Sequence, residues 1–70
     1  MRNFDFSLRQ LQYAVAVADT QGFRTAAELC GVSQPSLSTQ IARLEDALGI
    51  VLFERHARRT LLTPEGRDLV

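Results

Sequence analysis

The sequence predicts a mainly α-helical domain, with three helices as its core, then a β-hairpin and the start of a fourth helix. Three observations carry this. Residues 27–41, AELCGVSQPSLSTQI, hold the spacings of two helices joined by a tight turn. Two short apolar runs, VLFE and TLLT, flank the basic stretch RHARR. Thr63 and Pro64 then pair a helix cap with a proline at the first helical position, a combination that starts a helix.

The first helix begins at Ser7, because Ser7 and Gln10 form the S-x-x-Q pattern of a capping box. It runs to about Thr20, with Leu8, Leu11, Val15 and Ala18 as an inward stripe at helical spacing. Tyr13 and Val17 then fall on the far side. Either a small domain wraps this helix on both faces, or the second face packs on another helix, from this chain's C-terminus or from a partner subunit.

Gln21 and Gly22 make the turn into a second helix, residues 23–30. Ala27 is small where this helix crosses the next. Gly31 supplies the positive φ that ends it sharply, and Val32 drops into the core. Ser33 or Gln34 caps the third helix, which runs from Pro35 to Leu48. Leu37, Ile41, Leu44 and Leu48 point inward, Gly49 stops the helix, and Ile50 folds back on its last turn. Such a pair of helices is a helix-turn-helix, whose second helix enters the major groove of DNA. A hairpin following it is a wing, although its turn lacks the Gly and Asn of the tightest hairpins. Residues 1–63 form this winged domain and 64–70 begin a further helix. A helix barely begun at Val70 implies the N-terminal part of a longer protein.

Composition sets limits. Apolar residues make up 46% of 70, enough for one small core. Eight basic and eight acidic residues cancel, which weighs against a nucleic-acid partner. Distribution reverses that: every basic residue is arginine, and Arg55, Arg58 and Arg59 cluster in RHARR, while Glu45, Asp46 and Glu54 lie outside that run. The guanidinium fork suits phosphates and guanine edges. One cysteine, Cys30, and one histidine, His56, exclude an internal disulfide and a multi-cysteine or histidine-cluster metal site. Cys30 reads as a buried structural thiol and His56 as a wing-surface residue. No cofactor is expected. No apolar run has transmembrane length and no secretory signal precedes the domain, so a cytoplasmic location is expected.

Around the third helix, Pro35, Ser38, Thr39, Ala42, Arg43 and Asp46 face outward or flank the outward face. Its first two turns are small and uncharged, so the backbone can approach bases closely. Ser38 and Thr39 can donate or accept hydrogen bonds, and Gln34 can reach an adenine edge or a phosphate. Arg43 is better placed for a phosphate, and Asp46 confines the contact to the N-terminal half. Arg24 reaches a phosphate from the second helix. No nucleophile–base pair, metal-ligand set or phosphate-cradling glycine loop indicates an enzyme.

Taken together, FRTAAE, VSQPSLSTQIARLE, LGIVLFER and LTPEG resemble the DNA-binding domain of LysR-type transcriptional regulators, over residues 7–67. Within the family, FRTAAELCGVSQPSLSTQI is most similar to the peroxide-responsive OxyR branch, which implies an activator of antioxidant genes. The resemblance implies a winged helix-turn-helix and a linker helix that pairs subunits into a homo-oligomer, bound to double-stranded DNA with dyad symmetry. A separate C-terminal domain would bind the effector and hold the redox cysteines of that branch, so Cys30 has no such role. The family's base-reading positions match Gln34, Pro35, Ser36, Ser38 and Thr39. Its phosphate and wing positions match Arg24, Arg43, Arg55, Arg58 and Arg59, with Ser33 at the helix start. Thr39 departs from the pattern, standing where many members have arginine, which alters half-site preference. The linker helices pack near the first helix, a possible role for Tyr13 and Val17. The rival class is a winged helix used as a protein-interaction module, which neutral charge and an exposed Tyr13 and Val17 face would favour.

Overall fold

The computed structural model describes residues 6–56 and 59–69. Four helices and one hairpin follow in the order α1 (Leu8–Thr20), α2 (Phe23–Cys30), α3 (Gln34–Leu48), β1 (Phe53–His56), β2 (Arg59–Leu62) and α4 (Pro64–Leu69). The third helix begins at Gln34, the first residue of the 34–48 recognition helix, with Ser33 as its cap.

Local chemistry explains the boundaries. At α1, the Ser7 hydroxyl accepts from Gln10 N–H at 3.2 Å while Gln10 Oε1 accepts from Ser7 N–H at 3.0 Å, so two orphan amides are satisfied at once. Its C-cap is Gln21, a left-handed residue at φ 58°. Gly31 ends α2 at φ 72°, and Val32 N–H reaches Ala27 O at 3.0 Å across the turn. Gly49 ends α3 the same way, with Ile50 N–H returning to Glu45 O at 3.3 Å. Both are Schellman closures in which glycine avoids the clash of a Cβ in left-handed backbone.

The core joins Tyr13, Ala14 and Val17 of α1, Ala26 and Ala27 of α2, Leu37, Ile41 and Leu44 of α3, and Leu52 and Phe53 at the hairpin base. Cys30, Val32, Leu48 and Ile50 are half-buried against it, so Cys30 is a partly covered thiol rather than a fully buried one. The expected facing of α1 is inverted. Leu8 is 71% exposed and Val15 44%, whereas Tyr13 and Val17 are buried at 8% and 0%. Leu11 and Ala18 are half-buried. Two stripes on α1 have helical spacing, and α2 and α3 both pack on the one bearing Ala14 and Val17. The rival reading thereby loses its exposed Tyr13 and Val17 face.

The hairpin strands pair antiparallel, with Phe53 opposite Leu62 and His56 opposite Arg59. Arg55, His56 and Arg59 thus belong to the strands rather than to the turn, while Ala57 and Arg58 lie outside the described residues. Thr60 N–H donates to Gln21 O at 2.9 Å, anchoring the hairpin to the turn after α1. Phe23 and Phe53 meet edge-to-face, ring centroids 6.1 Å apart. Glu45 Oε2 accepts from Leu52 N–H at 2.8 Å, fixing the chain that leaves α3. At α4, Thr63 caps as expected, its hydroxyl accepting from Gly66 N–H at 3.0 Å. Among the described residues, no helix is long and apolar enough to cross a membrane.

Candidate nucleic-acid interface

Ser33 positions the N-terminus of α3. Its hydroxyl accepts from Ser36 N–H at 3.2 Å, and Pro35 occupies the first turn, where no intrahelical donor is needed. Ser33, Gln34, Pro35, Ser36 and Thr39 are all exposed, and Ser38 is half-buried. With Ala42 exposed one turn further on, this leaves a small, uncharged surface with remaining amide dipoles at its N-terminal end. A polyanion can approach such a helix end closely.

Thr39 behaves more narrowly than its sequence position implied. Its hydroxyl donates to Pro35 O at 3.0 Å. With the proton committed there, the oxygen can only accept from a ligand, and the methyl group remains free for apolar contact. Arg43 is exposed, as is Asp46 one turn later. Arg24 is exposed on the first turn of α2, with Nε 3.9 Å from Glu28 Oε2. A pair so solvated is weak, so the guanidinium can exchange partners at little cost.

The backbone of the hairpin places Arg55 opposite Thr60, and Arg59 opposite His56. The side chains of Arg55, His56 and Arg59 are outside the described residues, as is Arg58 altogether. The helical part of the predicted site is therefore gathered on one face, α3 with its cap, and Arg24 stands separately on α2.

One interaction at this face was not foreseen. Gln10 of α1, 8% exposed, donates from Nε2 to Oε1 of Gln40 on α3 at 2.8 Å. Gln40 is half-buried. Beside this pair, Gln10, Arg43, Asp46 and Ala47 line a shallow recess. The only hint in the sequence is a polar Gln10 on the same stripe as Ala14 and Val17, which a capping role already explained.

The sequence pattern described as the bacterial regulatory helix-turn-helix protein, lysR family, matches residues 8–67. A hydrogen peroxide-inducible genes activator of Haemophilus influenzae is 52% identical over 64 residues, covering 91% of this chain and 21% of that protein. The DNA-binding transcriptional dual regulator OxyR of Escherichia coli K12 is similar with the same identity and coverage. This chain spans about a fifth of the length of these curated relatives. Among solved structures, the BenM DBD in complex with benA site 1 DNA aligns with a TM-score of 0.86 and 47% identity, covering 91% of this chain and 72% of that one. The oxidized form of Corynebacterium glutamicum OxyR aligns with a TM-score of 0.89 and 40% identity, covering 97% of this chain and 22% of that one.

Proposed function

Because this chain belongs to the lysR family of bacterial regulatory helix-turn-helix proteins, we propose that it is the sequence-specific, double-stranded-DNA-binding domain of a cytoplasmic transcriptional regulator. The observation that carries this is the exposed, small and uncharged N-terminal half of α3, built on a satisfied cap. In this reading α3 enters the major groove. Gln34, Pro35, Ser36, Ser38 and Thr39 read bases, while Arg24, Ser33, Arg43 and the wing arginines Arg55, Arg58 and Arg59 hold the backbone. Residues 1–63 are the winged domain and 64–70 open a linker helix that pairs subunits in the full-length homo-oligomer. Two such domains place their recognition helices in successive major grooves of a site with dyad symmetry. The likeness to peroxide-inducible activators supports a peroxide-responsive activator, with its effector acting on a separate C-terminal domain. The domain itself has no catalytic role and takes no cofactor.

The test is selection of random duplex DNA by this chain at two salt concentrations. An enriched motif with dyad-related halves is the expected result. Salt-sensitive retention without any motif would reduce the reading to phosphate contacts alone. No retention at either salt would overturn it in favour of a protein-interaction module.

A further inference from the structure

We propose that Gln40 donates a hydrogen bond to a DNA backbone phosphate and that Gln10, buried behind it, is the positioning residue that sets the direction of the Gln40 amide. This rests on α3 occupying the major groove.

The direction follows from what each group can do. A backbone N–H only donates, so the atom of Gln10 that meets Ser7 N–H is its carbonyl oxygen, at 3.0 Å. The other end of the Gln10 amide is then its nitrogen, which only donates. The atom of Gln40 that meets it at 2.8 Å is therefore an oxygen. With Oε1 turned inward, the Gln40 nitrogen is the group left to face away from α1. No hydrogen bond from Gln40 Nε2 to protein is formed among the described residues. No buried side-chain N or O among them lacks a partner, so this nitrogen is not sealed from solvent. The N-cap of α1 is thus relayed through two side chains into a pair of unused donors on the recognition helix.

Position selects a phosphate rather than a base. At about 100° per residue, Gln40 lies about 60° around α3 from the buried Leu37, on the same flank as Ser36 and Arg43. Thr39 and Pro35 are near the centre of the outward face, and Gln40 is well away from it. A helix lying in a groove turns its centre to base edges and its flanks to the backbone walls. Ser36, Gln40 and Arg43, at i, i+4 and i+7, form a row along one such flank. Arg43 and Gln10 border the same recess at its base.

Phosphate ethylation interference on the selected site reads this contact directly. In the parent chain, ethylation of several phosphates per half-site should weaken binding. In Gln40→Met one of them should become insensitive, with affinity about ten-fold lower for every duplex and base preference unchanged. Gln10→Met should lose sensitivity at the same phosphate, and the double variant should bind no more weakly than Gln40→Met. Gln40→Glu still accepts from Gln10 Nε2, so its fold is kept, but it turns a carboxylate outward. Ethylating that one phosphate should then improve its binding. The proposal is overturned if the interference pattern of Gln40→Met and Gln40→Glu matches the parent's, or if base preference changes instead. A parent chain with no interference at any phosphate would sink the groove placement itself.

Discussion

Replacing Thr39 with valine separates two kinds of base contact at one position. Valine has nearly the shape of threonine and keeps a methyl group, but it loses the oxygen. In the structure that oxygen donates its proton to Pro35 O at 3.0 Å, so toward DNA it can only accept. Base partners with a donor in the major groove are adenine N6 and cytosine N4. Loss of one neutral hydrogen bond should cost about 1 kcal/mol, roughly five-fold in Kd. The fold should barely notice, since Thr39 is exposed and the two residues have similar helix propensity, leaving a change within about 0.5 kcal/mol. The assay is fluorescence anisotropy against the selected site and its three variants at the facing base pair, with thermal unfolding alongside. Thr39→Val should bind all four more evenly, and Thr39→Ser should keep the preference while losing any thymine-methyl contact. The reasoning is refuted if the valine variant keeps the parent's preference.

Three other substitutions test the frame around the site. Arg58→Ala should weaken all duplexes alike and reduce the slope of log affinity against log salt by about one, and an unaltered slope would remove Arg58 from the backbone contacts. Gly31→Ala meets no atom within 4 Å, so its whole effect is backbone strain at φ 72°, a loss of about 1–2 kcal/mol visible as a lower unfolding midpoint in urea. Gly66→Ala would place a Cβ 2.6 Å from Leu52 O, the oxygen that also accepts from Thr63 N–H at 2.8 Å. That overpacking should outweigh the gain in helix propensity and lower stability by about 1 kcal/mol, a midpoint drop of roughly 4–8 °C, and a rise in midpoint would refute it.

Elements whose cause is local were legible in the sequence. Ser7 with Gln10, Ser33 with Pro35, and Thr63 with Pro64 each place a polar cap next to the amides it satisfies, and Gly31 and Gly49 lie where left-handed backbone closes a helix. The inward face of α3 was legible too, because Leu37, Ile41 and Leu44 form its one apolar stripe. The first helix was not, because it carries two. Leu8, Leu11, Val15 and Ala18 repeat with the same period as Gln10, Tyr13, Ala14 and Val17. Periodicity fixes the angles between residues of one helix but not how that helix is rotated against its neighbours. Only the placement of α2 and α3 settled that Tyr13 and Val17 are core and that Leu8 and Val15 meet solvent. The same rotation brings Gln10 to Gln40, a contact between residues 30 apart that no local pattern encodes. Sequence thus determined where each helix begins and ends and which small residues α3 presents. Tertiary structure decided which way α1 turns and, through it, the direction of one amide on the recognition helix.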